Sequence, residues 1–329
     1  MTHAYNWNIS GHDYVITALE KELAATAKAG STTGVLTHAY LFAGPDNVGK
    51  YTVAKTLAHI LQCEKGYRHD AGLGACATCS EIEKGYHADT LELKDDGESI
   101  KIETVRDVLL KLHMRPVGVG KGPGHRILLI QNIERMTLES ANAMLKMLED
   151  PPEGVMFLLT TGRIKDVLPT ILSRVRSYNF RSFSDQNIVQ LLRADYPQAE
   201  SGLITQVASF AAGKPGKAIS LMQNPELLES ARKMYDDIRI FVKKPDRANE
   251  FAYIAGIVKS AKDNEDSNGV RDFLDVFISV LRQEMLERVE NGNGVTEIAA
   301  LITEAQKAQD LLKRNVNNRL LLENLVMHL

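Results

Sequence analysis

The stretch Gly44-Pro45-Asp46-Asn47-Val48-Gly49-Lys50-Tyr51 constrains this chain more than any other. A G-x-x-x-x-G-K loop wraps phosphates with inward-turned backbone N–H groups only when a buried strand delivers it and a helix leaves it. Both flanks are present: Ala39-Tyr40-Leu41-Phe42 reads as a buried parallel strand, and Thr52 to Ala58 continues as a helix whose N-terminus would face the phosphates. The eighth position departs from the pattern. A Ser or Thr hydroxyl there would hold Mg²⁺, and this chain has Tyr51. Thr52 comes one residue late, which turns it about 100° around the helix from the required direction.

The rest of the first half supports a covered parallel sheet. Strands are predicted at 39–43, Thr90 to Leu93, Ile127 to Ile130 and Val155 to Thr160, and helices at Ile16 to Ala27, after Lys50, at Ile102 to Leu112 and at Leu138 to Glu149. Thr137 is placed to cap the last of these helices, and Pro151-Pro152 to stop it. Strands apolar throughout and separated by helices give an α/β fold with a parallel sheet covered on both faces. After Ser182 only helical patterns follow: a three-helix group from Ser184 to Leu221, then long amphipathic stretches from about Pro225 to the end.

With 329 residues, 44% hydrophobic and 25% charged, the chain can bury two or three cores and is far from the disordered class. A net charge of −3 and a pI near 6.3 offer no global attraction to nucleic acid, so any DNA contact must be local or shared with other subunits. No leader-like start and no apolar run of membrane-spanning length are seen, which predicts a cytoplasmic protein with no membrane partner. Three cysteines, two of them as Cys76-Ala-Thr-Cys79, argue for thiols or a metal rather than disulfides.

An ATPase of this type needs acids at the end of a second strand, one to organise Mg²⁺ and one to activate water. The strand ending at Ile130 is followed by Gln131-Asn132, two neutral amides. Loss of a general base alone typically costs about 10²–10⁴ in rate. With Tyr51 in place of the hydroxyl, two separate parts of the hydrolytic apparatus are missing, so the chain is expected to keep the fold of an ATPase without its chemistry.

His38-Ala-Tyr-Leu-Phe-Ala-Gly-Pro45, Ser140-Ala-Asn-Ala-Met-Leu-Lys-Met-Leu-Glu-Asp-Pro-Pro152, Leu168-Pro-Thr-Ile-Leu-Ser-Arg174 and Arg314-Asn-Val-Asn-Asn-Arg-Leu-Leu-Leu-Glu323 resemble the bacterial DNA polymerase III clamp-loader AAA+ family. Within that family the delta-prime members are most similar, because gamma/tau members keep the acidic pair at the Gln131-Asn132 positions. The resemblance implies a RecA-like AAA+ domain at 1–181 with a Cys-containing insertion at 63–79, a helical lid at 182–223 and a helical collar for oligomerisation at 224–329. It implies a non-hydrolysing subunit of a DNA-directed DNA polymerase holoenzyme, a nucleotidyltransferase whose loader hydrolyses ATP. The implied partners are gamma/tau and delta subunits, the sliding clamp, and primer–template DNA inside the assembled complex.

The resemblance also assigns roles. Arg174, with Ser173, stands where the family's Ser-Arg-Cys motif sends an arginine to a neighbour's γ-phosphate, Val175 replacing the Cys. An arginine supplied in trans is worth roughly 10³–10⁵ in turnover in related phosphoryl-transfer enzymes. The alternative is an arginine that pairs with a carboxylate at the end of the sheet. Gly44, Gly49, Lys50 and the displaced Thr52 make either an unproductive ATP cradle or a structural turn. Lys217, after Gly213-Lys214-Pro215-Gly216, stands where the family carries a nucleotide-sensing arginine, and lacks that residue's bidentate fork. Cys63, Cys76 and Cys79 match three of four zinc ligands, with Leu73 at the fourth. His69 or Asp70 would have to complete a tetrahedron, or the loop is degenerate and carries reduced thiols. Lys111, His113, Arg115, Lys121, His125 and Arg126 surround a glycine-rich loop and form the candidate DNA-phosphate patch. Two other functions stay open: a stand-alone AAA+ ATPase, and a purely structural scaffold of the ring.

Overall fold

The computed structural model describes residues 3–7, 9, 11–29, 36–63, 76–114, 125–263, 268–312 and 316–328. They form two compact units, Met1–Arg181 and Ser182–Leu329.

The first unit holds helices α1 (Asp13–Ala29), α2 (Lys50–Gln62), α3 (Ala77–Lys84), α4 (Ile102–Leu112), α5 (Leu138–Glu149) and the single turn α6 (Pro169–Leu172). Its strands are β1 (Ala39–Ala43), β2 (Thr90–Leu93), β3 (Arg126–Ile130), β4 (Val155–Thr161) and β5 (Arg176–Asn179). All strand pairs are parallel, in the order β2-β3-β4-β1-β5. Successive strand residues face opposite sides, so a sheet covered twice requires apolar residues at every position. Tyr40, Phe42, Ile127, Leu129 and Leu158 pack toward the face shared with α1 and α2, whereas Leu41, Leu128, Ile130, Phe157 and Leu159 pack toward the face shared with α4 and α5. Thr137 caps α5 as expected, its hydroxyl accepting from Ser140 N–H at 3.2 Å.

One strand was not expected. β5 reads Arg-Ser-Tyr-Asn, and three of its four residues are exposed, so it carries no apolar run. It forms because β1 offers it a free edge: Tyr40 to Ala43 pair in register with Arg176 to Asn179. A buried carboxylate fastens that edge. Glu22 on α1 accepts hydrogen bonds from Tyr40 Oη (2.6 Å) and Tyr178 Oη (2.7 Å), and Arg176 Nη1 lies 3.0 Å away. Burial, with the Glu22 carboxylate second, pushes both phenols above their ordinary range.

The second unit is helical: α7 (Asp185–Asp195), α8 (Ser201–Ala211), α9 (Pro215–Gln223), α10 (Pro225–Lys243), α11 (Arg247–Asp263), α12 (Asn268–Glu290), α13 (Thr296–Leu312) and α14 (Asn318–Val326). A single apolar cluster runs through it from Ile188 to Val326, with Phe210, Phe273 and Phe277 fully buried. The segments 182–223 and 224–329 both contribute to this cluster. Among the described residues, no helix is long and apolar enough to cross a membrane.

Glu22→Ala should lower the stability of the first unit by about 2–4 kcal/mol, because two phenol hydroxyls lose a charged acceptor at once. Urea denaturation of the full chain measures this; an unchanged midpoint would show that the hydroxyls find other partners.

Candidate functional site

The C-terminal ends of parallel strands are where an open α/β sheet presents its loops to ligands. Here the loop after β1, the turn after β3 and the turn after β4 meet at that edge. Phe180 N–H donates to Ala43 O at 2.6 Å, which brings the chain after β5 against the start of the loop. Gly44 has φ +151°, and a Cβ there would stand 2.4 Å from Phe180 O, so no other residue fits. Gly49, with φ +95°, occupies the left-handed position before α2, and a Cβ would overlap the Ile9 side chain at 2.5 Å. His12 closes the loop from outside, its Nε2 lying 3.1 Å from Val48 O; burial lowers its pKa and favours the neutral ring.

Lys50 does not reach outward. Its residue is 6% exposed, and its Nζ donates to Gly44 O (2.6 Å) and Pro45 O (2.5 Å), two carbonyls of its own loop. Asp46 Oδ1 lies 3.8 Å from the same nitrogen. Thus the cation that would meet a phosphate is already hydrogen-bonded and partly neutralised. Tyr51 packs its ring on the α1–α2 side of the sheet, and among the described residues its buried hydroxyl has no hydrogen-bond partner. Thr52 is half-buried on α2.

The β3 turn is built of amides. Gln131 Oε1 accepts from Asp95 N–H (3.3 Å), and Asn132 donates through Nδ2 to Asp95 Oδ2 (2.5 Å). Asn132 is left-handed at φ +54°, a conformation that Asn tolerates. Two residues on stands a carboxylate that sequence reasoning missed. Glu134 Oε1 accepts from Gly162 N–H (2.8 Å), and a Cβ on Gly162 would meet Asp46 Oδ1 at 3.0 Å and Glu134 Oε1 at 3.2 Å. Two carboxylates therefore crowd the turn after β4, beside the phosphate loop. The signal was one acidic residue beyond the amides, without a motif to mark it.

Arg174 lies beyond α6, and its guanidinium has three acceptors. Nη1 donates to Thr170 O (2.7 Å) and Ser173 Oγ (3.0 Å), and Nη2 to Glu149 Oε1 (2.5 Å). Ser173 Oγ in turn donates to Thr170 O at 3.0 Å. The pairing with a carboxylate matches the alternative set out for Arg174, yet the side chains remain 32% and 52% exposed, so the charge stays at the surface. Glu149 also borders a groove of about 690 Å³ between α4 and α5, with Arg106, Leu110, His113 and Lys146 on its walls.

Cys63, Cys76 and Cys79 come together although thirteen residues separate the first two. Their sulfurs all lie within 4.8 Å of one another, and Cys63 and Cys76 are 3.7 Å apart. A tetrahedral site with Zn–S of about 2.3 Å has S···S edges of about 3.8 Å, so the spacing fits zinc. Burial, then the neighbouring sulfurs, pushes the Cys79 thiol up. The fourth-ligand candidates His69 and Asp70, and Leu73, lie outside the described residues.

Two residues of the candidate DNA patch are not at the surface: His125 and Arg126 are 5% and 4% exposed, and Arg126, the first residue of β3, has Nη2 3.2 Å from the buried Asp89. Lys111 and His113 are exposed, while Arg115, Lys121 and the glycine-rich loop lie outside the described residues. Lys217, expected to sense nucleotide, donates from Nζ to Asp272 Oδ1 at 2.6 Å, and Asp275 Oδ2 lies 3.9 Å away.

A phosphate-loop sequence on a five-stranded parallel sheet covered on both faces defines the class. Comparison with known proteins narrows it. The family model described as DNA polymerase III, delta subunit, matches residues 19–184, just over half of the chain. Among curated proteins, subunit gamma of DNA polymerase III from Buchnera aphidicola (subsp. Acyrthosiphon pisum) is 29% identical over 67% of this chain and 58% of its own length. Subunit tau from Escherichia coli K12 is 33% identical over 65% of this chain and 32% of its own. Subunit delta' from Bacillus subtilis is 26% identical over 89% of this chain and 91% of its own. The chain thus spans only a third to three fifths of those gamma and tau relatives, and nearly the whole of the delta' relative. It belongs to the bacterial clamp-loader AAA+ family of DNA polymerase III.

Proposed function

We propose that this chain is a non-hydrolysing, delta'-like subunit of the DNA polymerase III clamp loader. The observation that carries the proposal is Lys50, whose ammonium is spent on the carbonyls of Gly44 and Pro45. Gln131 and Asn132 add the absence of an acidic pair at the strand end, and Asp46 and Glu134 put negative charge where phosphates would have to enter. In this reading the chain does not turn over ATP. It presents Arg174 to ATP held by a neighbouring gamma/tau-type subunit, where a guanidinium fork stabilises charge developing on the transferred phosphoryl group. Segments 182–223 and 224–329 serve as lid and collar, the delta subunit and the sliding clamp are further partners, and primer–template DNA is gripped by the assembled ring in the cytoplasm. Lys217, held by Asp272, serves packing of the helical unit rather than nucleotide sensing.

The competing stand-alone ATPase would need Glu134 as its base. That carboxylate already accepts Gly162 N–H, which fixes its direction. The cysteine cluster is proposed to hold a structural zinc. Zinc would tie the end of α2, through Cys63, to the start of α3, through Cys76 and Cys79.

In a loader reconstituted with gamma/tau-type and delta subunits, Arg174→Ala should lower DNA-stimulated ATP turnover by about tenfold or more, whereas Lys50→Ala should change it less than about twofold. The opposite ranking would reverse the roles given to the two residues. Metal analysis of the purified full chain should find roughly one zinc per chain, lost in Cys79→Ser. Metal-free wild-type protein with three titratable thiols would rule the zinc site out.

A further inference from the structure

Glu149 is the last residue of α5, anchored through its neighbour's backbone, with a side chain that is half-exposed. His38 Nε2 donates to Leu148 O at 3.0 Å, and His38 O accepts from Phe157 N–H at 2.7 Å, so the residue before Glu149 is tied to the start of β1 and thereby to β4. Pro151 follows two positions later and ends the helix. The carboxylate is 52% exposed and accepts from Arg174 Nη2. The other guanidinium nitrogen, Nη1, is oriented without Glu149, by Thr170 O and Ser173 Oγ. Direction and charge compensation are therefore supplied by different groups.

We infer that Glu149 is a positioning residue for Arg174: it neutralises the guanidinium while the chain is unengaged and yields it to the phosphate of a neighbour's nucleotide. The inference rests on the trans-arginine role proposed above. Its physical basis is a difference in strength. An exposed ion pair is held weakly in water, while an arginine–phosphate contact in a closed interface is charge-assisted, bidentate and desolvated. A buried Glu149 would keep the arginine permanently. An absent one would leave an uncompensated cation on a surface meant to close. The exchange moves no proton and breaks no covalent bond. What it sets is the threshold that the neighbour's nucleotide must overcome.

The test uses the reconstituted loader with four versions of this full chain: wild type, Glu149→Gln, Arg174→Ala and the double variant. Glutamine keeps the shape and an acceptor oxygen, so Arg174 stays oriented and only its charge partner is lost. Glu149→Gln should lower the KM for ATP about two- to fivefold, with a smaller change in kcat, which is the loss of one exposed ion pair. In the Arg174→Ala background the same change should have no effect. A merely structural role would give the same shift in both backgrounds, and that result, or no shift with Arg174 present, overturns the inference while leaving the trans arginine intact. If Arg174→Ala itself matches wild type, the trans-arginine reading fails and this inference fails with it.

Discussion

A buried ammonium group must find acceptors, because leaving it unpaired costs several kcal/mol. Lys50, the first residue of α2, satisfies that demand inside its own loop, through Gly44 O and Pro45 O. Much else follows from this closure. Gly44 lies under Phe180 with no room for a side chain, Gly49 lies under Ile9, and His12 holds the Val48 carbonyl. A phosphate would have to break two charge-assisted hydrogen bonds, each worth about 1.5–3 kcal/mol, and then approach Asp46 and Glu134. The motif keeps the glycines that packing requires and its lysine, and carries Tyr51 where the pattern has a hydroxyl.

The covalent order of the chain then puts its usable charge elsewhere. β1 is an interior strand, flanked by β4 and β5, and the connection from β4 to β5 carries α6, Ser173 and Arg174. The closed loop and the exposed arginine thus stand on one scaffold, because β1 precedes the first and its neighbour β5 follows the second. Glu22 secures β5 through Tyr178 and Arg176, so a polar edge strand with little apolar content of its own stays paired.

Much of this was legible before any coordinates. The buried strands and the helices of residues 102–112 and 138–149 follow from apolar periodicity and from Thr137 and the prolines, signals local to each segment. β5 was not legible, since Arg-Ser-Tyr-Asn acquires strand structure only from the edge it joins. Side-chain direction was equally hidden. No spacing rule states that Lys50 folds inward, that Glu134 reaches Gly162, or that Glu149 meets Arg174 across 25 residues. The burial of two residues of the DNA patch was hidden for the same reason: His125 and Arg126 look like loop cations in the sequence and are buried, one just before β3 and one as its first residue.

The claim that this loop is closed by its own lysine is tested most directly by titrating the isolated full-length chain with a fluorescent ATP analogue, with and without Mg²⁺. No saturable binding below about 1 mM is expected, a binding free energy weaker than roughly 4 kcal/mol, because the lysine and the neighbouring carboxylates oppose entry. Magnesium-dependent binding at about 1 µM would show that Lys50 leaves Gly44 and Pro45 readily, and would contradict the account.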